Sequence, residues 1–239
     1  AGAGGGGGEG GGARGWTAAP TPATGQRTPT DSAGADAVFP PVIETVRLRL
    51  ERRGSDHVDT RRIYEICADD DGIEDVTRWM PWDSHESLAE TAAFLERGER
   101  AWGEGSTAGY VLRPREGEDG AGEIAGFGGL EVDWARSLGV LGVWLRKPFW
   151  GRGYSGERAT ALVELAFDRL DLDVVTVSHV VDNEKSRTAI ARYVDRLGGH
   201  REGVRRNSIA FPDGTVHDEV HYSVDATEWR AATDGGTDV

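Results

Sequence analysis

The chain has 239 residues, a formal net charge of −14, 38% apolar residues and a single cysteine, Cys67. That length allows one full domain with a tail, and the acidic balance argues against general nucleic-acid binding, which sets Lys and Arg against phosphates. One cysteine excludes an internal disulfide and a cysteine-built metal cluster. No stretch approaches the ~20 apolar residues that span a bilayer, and the first residues carry no apolar signal-peptide core. A soluble, cytoplasmic protein is the expectation.

Of the 27 basic side chains only Lys147 and Lys185 are lysines. An acidic, arginine-dominated surface suits a halophilic protein, because concentrated salt screens its self-repulsion. Residues 1–40 are rich in Gly, Ala, Pro and Thr and cannot bury enough surface to offset the entropy of ordering them, so a disordered tail is expected there. A domain over 41–230 and a second disordered tail over 231–239 complete the expected organisation.

Order begins at Val42, where Val46, Leu48 and Leu50 alternate with Arg47 and Arg49 as in a half-buried strand. Val58, Ile63, Ile66 and Cys67 predict a helix capped by Asp56. Ser87 is placed to cap a second helix running to Trp102. Strands are predicted over 108–113, 123–130 and 138–145, the first two forming a hairpin. Ala159, Leu162, Val163, Ala166, Phe167 and Leu170 make one apolar helical stripe. Val174–Val181 reads as a buried strand, Ser186–Leu197 as a helix stopped by Gly198-Gly199, and Ser208–Phe211 with Glu219–Val224 as a closing hairpin. The coarse order is βααβββαβαββ, an α+β domain.

Gly151-Arg-Gly153-Tyr-Ser-Gly156, between strand and helix, fits G-x-G-x-x-G. Such a turn gathers backbone N–H groups and the positive end of a helix around a pyrophosphate. A doubly wound dinucleotide fold needs the strand to run straight into the first glycine and needs repeated βαβ units. Here Arg146-Lys-Pro-Phe-Trp150 intervenes and the first half is a meander. A Walker loop would need a lysine that the turn lacks, and a nucleophile elbow a different spacing.

Several segments in series resemble the GCN5-related N-acetyltransferase (GNAT) superfamily, in its RimJ/RimL-like ribosomal-protein branch. They are Glu44–Leu50, Thr77-Arg-Trp-Met-Pro-Trp82 with His85-Glu-Ser87, Trp144-Leu145 with Phe149–Tyr154, Asp182-Asn-Glu-Lys-Ser186, and Asp218–Val224 before Glu228-Trp229. The superfamily pattern Q/R-x-x-G-x-G/A falls on Trp150, Gly153 and Ser155, and the aromatic expected after Gly198 is replaced by Gly199. The resemblance implies a mixed, mostly antiparallel central sheet, splayed at the acyl-CoA site and flanked by helices on both faces.

The same resemblance implies acetyl-CoA as co-substrate. Its pantetheine would lie between the strand ending at Leu145 and that of Val174–Val181. Backbone N–H groups of Gly151, Arg152, Gly153, Ser155 and Gly156 would hold the pyrophosphate, and the Arg152 side chain would meet the 3′-phosphate. Asn183 would pair with a pantetheine amide. Strand N–H groups near Val143–Leu145 would face the oxyanion. Ser186 is placed for the departing thiolate, with Tyr193 a second candidate acid. Glu131 and Asp133 are the nearest carboxylates for a base. Trp79, Met80, Pro81 and Trp82 would wall the acceptor side, with His85 and Glu86 at its rim. His217 and His221 share a strand face, but two histidines make a poor metal site and no metal is expected.

The expected reaction is direct attack by a primary amine in a ternary complex, the amine belonging to a protein or peptide N-terminus or to a small molecule such as a polyamine or aminoglycoside. No nucleic-acid or membrane partner is expected, and the chain would act as monomer or homodimer. A non-catalytic CoA-sensing domain is the alternative from another class, and the presence of Ser186 and Asn183 favours the enzyme.

Overall fold

The computed structural model describes residues 38–234. The tails expected at both termini fall largely outside the described residues. The segment predicted as one strand is a hairpin of β1 (Val42–Glu44) and β2 (Leu48–Arg52), with Ile43 opposite Leu50. The Thr45 hydroxyl accepts from the Leu48 N–H and closes the turn, which leaves Val46 87% exposed. Three alternating residues fit a strand and a tight turn equally well.

Helix α1 (Thr60–Asp69) starts later than expected, capped by Asp59 through the Arg61 N–H and not by Asp56. A short α2 (Ile73–Thr77) follows. It was not foreseen, since five residues show no full helical period. Helix α3 (Leu88–Gly103) begins at Ser87, whose hydroxyl accepts from the Glu90 N–H at 3.2 Å, while Glu90 reaches back to the Glu86 N–H. This is a capping arrangement of the expected kind.

Strands β3 (Thr107–Pro114), β4 (Gly126–Asp133) and β5 (Leu138–Leu145) make the antiparallel meander. A 3₁₀ turn at Lys147–Phe149 leads to α4 (Tyr154–Glu164), extended by a π turn over Leu165–Arg169. Then come β6 (Val174–Val180), α5 (Glu184–Arg196), β7 (His200–Ala210), β8 (Val216–Asp225) and α6 (Ala226–Asp234). Helix α6 runs past the domain end expected at 230. The β7–β8 hairpin is longer than predicted because β7 is polar and its register shifts twice, which hides the period of two.

The eight strands form one sheet ordered β1-β2-β3-β4-β5-β6-β8-β7, antiparallel except where β5 meets β6. Alternate residues of each strand face opposite sides. Val111, Phe127 and Trp144 pack under α1–α3 with Ile63, Ile66 and Leu95. Leu130, Leu141, Val175 and Tyr222 pack under α4, α5 and α6 with Leu162, Phe167, Val194 and Trp229. Each such side chain removed from water contributes about 1.5–3 kcal/mol. Cys67 is one of the core residues, its thiol pushed up to about 12 by burial, then by nearby Asp70. Gly199 has a steric reason: a Cβ there would lie 2.2 Å from the Ser223 carbonyl oxygen, so no aromatic fits.

Candidate active site

The glycine-rich turn is shaped by positive φ at Gly151 (76°) and Gly153 (81°), a region L-residues rarely adopt. Gly153 caps α4 with no side chain in the way. Among the described residues, the N–H groups of Gly151, Arg152, Gly153, Tyr154 and Ser155 meet no protein acceptor. Gly156, expected among these donors, gives its N–H to the Gly153 carbonyl at 3.1 Å. Five open donors at a helix N-terminus make a fitting cradle for a diphosphate.

Sequence reasoning missed what holds this turn. Glu157 accepts from the Arg47 N–H at 2.6 Å and from Arg47 Nε at 2.7 Å, while Arg47 Nη1 donates to the Arg152 carbonyl at 2.9 Å. Burial alone would raise the Glu157 carboxyl. Hydrogen bonds from Thr45 and Arg47 outweigh it and hold the group below its ordinary value. The turn is thus tied to the β1–β2 hairpin. Arg47 looked like one more solvent-facing residue of an alternating strand.

The Arg152 side chain, expected at the 3′-phosphate, has protein partners. It turns to Asp119, bonding the carbonyl at 2.7 Å and the carboxylate at 3.0 Å, and lies over Phe149. Its backbone N–H is one of the five open donors of the turn. Of the chain's two lysines, Lys185 lines the cleft and Lys147 does not. Lys185 Nζ sits 4.2 Å from the Trp150 ring centre, and Lys147 pairs with Asp75 at 2.7 Å.

Beyond the cradle the sheet opens. Strands β5 and β6 pair only at Leu138–Val174, Gly139–Val175 and Val140–Thr176. From Leu141 and Val177 onward they part, and a cleft of about 1800 Å³ runs from the turn through the gap. Val143, Leu145, Asn183, Ser186 and Tyr193 all border it. Asn183 caps α5, its Oδ1 accepting from the Ser186 N–H at 3.1 Å, which leaves its NH₂ group for another partner. Tyr193 is 2% exposed, and its hydroxyl has no hydrogen-bond partner.

The acceptor side is partly as expected. Trp79, Met80, Pro81 and Glu131 line the cleft. Burial, then the neighbouring Asp133, raise the Glu131 carboxyl above the usual glutamate value. Asp133 itself accepts from the Arg136 N–H in the following turn. Trp82 and His85, expected at the substrate, do not line this cleft; Trp82 is partly buried against the core and His85 is buried. Trp82 packs on Trp144 at 5.3 Å, and His85 is 9% exposed with Nδ1 on the Thr91 hydroxyl at 2.8 Å. Two aromatic residues near a helix start carry the same pattern in a wall or a core. Another cleft carboxylate carries no signal in the sequence: Glu219 accepts from Ser178 Oγ at 2.8 Å and Ser208 Oγ at 2.6 Å. Among the described residues, no group of three His, Cys, Asp or Glu side chains is placed to hold a metal, and no helix is long and apolar enough to cross a membrane.

A glycine turn of open N–H donors beside a splayed parallel strand pair narrows the class. The chain belongs to the acetyltransferase (GNAT) domain family, whose profile matches residues 47–193. It is similar to YdaF of Bacillus subtilis (strain 168), provisionally named a ribosomal N-acetyltransferase, at 32% identity over 99 residues. That match covers 41% of this chain and 51% of YdaF, so the chain spans about half the length of this curated relative. Among solved structures it is similar to the microcin C7 self-immunity acetyltransferase MccE, in complex with acetyl-CoA and AMP, at 18% identity and a TM-score of 0.67. That likeness covers 79% of this chain and 98% of MccE. The ribosomal L7/L12 α-N-protein acetyltransferase RimL matches at 18% identity and a TM-score of 0.63, covering 84% of this chain and 99% of RimL. These two likenesses are likenesses of fold.

Proposed function

We propose that the chain moves an acetyl group from acetyl-CoA to a primary amine, a protein or peptide N-terminus foremost, with both substrates bound together. The observation that carries this reading is the gap between β5 and β6 opening onto the five free N–H donors of the turn. The names of YdaF and RimL favour a ribosomal-protein acceptor. Bound acetyl-CoA would supply an activated thioester. The turn would hold its diphosphate, the free edge of β5 would meet its amides, and the Asn183 NH₂ would add a donor. Glu131 would take the proton from the acceptor nitrogen. Ser186 and Tyr193 of α5 line the cleft, and the Ser186 hydroxyl would meet the departing sulfur.

Isothermal titration with acetyl-CoA, followed by thiol release against a panel of N-terminal peptides, polyamines and aminoglycosides in molar KCl, tests the reading. Saturable binding and release with at least one peptide are expected. Binding with no release to any amine would mark a CoA sensor, and absence of binding would end the proposal. The raised Glu131 carboxyl predicts a pH effect. The base must be ionised, so activity should fall as pH drops through a value above the ordinary glutamate range. Glu131→Gln is expected to lower kcat/KM by about a hundredfold and abolish that acid limb. A variant that keeps the limb would show that Glu131 is not the base.

A further inference from the structure

The side of the cleft formed by β6, β7 and β8 holds a carboxylate on which three strands converge. Glu219 is on β8, opposite Val180 of β6, and its side chain is 13% exposed. Ser178 of β6 donates its hydroxyl to Oε1 at 2.8 Å, and Ser208 of β7 donates to Oε2 at 2.6 Å. Ser208 reaches the carboxylate because β7 slips its register between Arg205 and Ile209. Within that slip Asn207 adopts a φ of 49°, and its N–H donates to the Asp218 carboxylate at 2.9 Å. Bulges of this kind re-aim a side chain.

The carboxylate hangs beside the apex of the gap. Thr176 is the last residue of β6 paired with β5, and Ser178 follows two positions on, on the same face of the sheet. Through the pairs Glu131–Val140 and Val140–Thr176, that face is also the one that carries Glu131. The two serine hydroxyls hold both oxygens of Glu219 and leave each a further lone pair. A carboxylate withdrawn from water calls for a cation, yet among the described residues no arginine or lysine is ion-paired with it. Arg205, its register partner on β7, makes no such pair, and the His221 ring, at 3.8 Å, lies beyond hydrogen-bond reach.

We propose that Glu219 determines specificity by selecting acceptors with a second cationic group, an ammonium or guanidinium beyond the nitrogen that is acylated. This inference rests on the acetyl-transfer reading above. In that reading Glu131 takes the proton of the reacting nitrogen, and Glu219 receives the other charge of the same acceptor. A basic side chain beside a peptide N-terminus supplies such a group, and so does the far amine of a polyamine. A charged donor bonds a fixed carboxylate about twice as strongly as a neutral one, which favours a cation there over a backbone amide or a hydroxyl. No bond forms or breaks at Glu219; the residue acts on which acceptor is retained.

The test compares matched pairs of acceptors by thiol release, using the full chain in molar KCl. There the general pull of a protein of net charge −14 on cations is screened beyond about 3 Å. One pair is a peptide beginning Ala-Arg and its Ala-norleucine counterpart; the other is putrescine and butylamine. Wild type is expected to favour the doubly cationic member of at least one pair by at least about tenfold in kcat/KM. The pair that shows the preference tells peptide from polyamine. Glu219→Gln should bring that ratio to within about threefold of unity, mainly through KM, with Tm and CoA titration reporting that the variant is folded. Equal kcat/KM for both members of both pairs in wild type would overturn the proposal, and that outcome needs no variant. A Glu219→Gln protein that binds CoA and keeps the wild-type preference would overturn it too, as would one that loses the same factor on both members. A wild-type protein that binds CoA yet releases no thiol with any amine would overturn the acetyl-transfer reading itself, and this inference with it.

Discussion

Arg146→Ala is expected to destabilise the protein by about 3 kcal/mol, at the lower end of the range for breaking a buried ion pair. Arg146 follows directly on β5 and is 8% exposed. Its Nε and Nη2 grip Asp70 at 2.8 and 2.7 Å in a two-pronged bond, and Nη1 donates to the Ile124 carbonyl at 2.9 Å and to Glu123 at 3.3 Å. The hydrogen bond to Asp70, reinforced by its charge and by Glu123, raises the guanidinium above its ordinary value against the cost of burial. Truncation strands the Asp70 carboxylate at the C-terminus of α1 and cuts the tie between the α1–α3 layer and the strand leading to the turn. For a domain of this size the loss should lower Tm by about 6–12 °C, with the urea m-value unchanged. An unfolding free energy within about 1 kcal/mol of wild type would show that the pair contributes little beyond its own desolvation.

The second large effect concerns binding. Gly153→Val is expected to weaken CoA binding at least about thirtyfold, equivalent to ~2 kcal/mol. An L-residue in the left-handed region costs about 1–2 kcal/mol, and a β-branched one is stiffer still. The new Cβ would also come 3.3 Å from Arg47 Nη2, pressing on the side chain that holds the turn. Gly151→Ala separates the two causes. Gly151 shares the positive φ, but nothing lies within 4 Å of its added Cβ, so only strain acts there and the loss should be smaller. Titration of both variants with CoA decides it. Affinity for Gly153→Val within about threefold of wild type would remove the turn from the binding site.

Much of this molecule is legible in its residues, for identifiable reasons. The stripe from Ala159 to Leu170 and the β-branched run at Val174–Val180 announce themselves because the core enforces their periods. Ser87 announces α3 because a cap has few chemical alternatives. The glycine turn reads clearly because positive φ leaves little else possible. Less legible are features fixed by distant contacts. Arg47 meets Glu157 across 110 positions of chain, and Ser208 meets Glu219 across a strand whose register slips. Arg158 sat unremarked in a helix, since only Gly128 and Gly142, far off in sequence, show that it is buried. The aromatic cluster is divided: Trp79 lines the cleft, while Trp82 packs on Trp144 and His85 on Phe94.

The parting of β5 from β6 has a mechanical side. Strands β1–β5 and β6–β8 are joined in the sheet by three residue pairs at one end of an otherwise continuous eight-strand array. The two halves therefore resemble the covers of a book held by a short spine, with α4 and α5 as the binding. A molecule laid in the opening supplies the missing rungs and couples the covers, so that occupancy and cooperativity of unfolding rise together. In this architecture the pocket is an interruption of the scaffold, and filling it completes the scaffold.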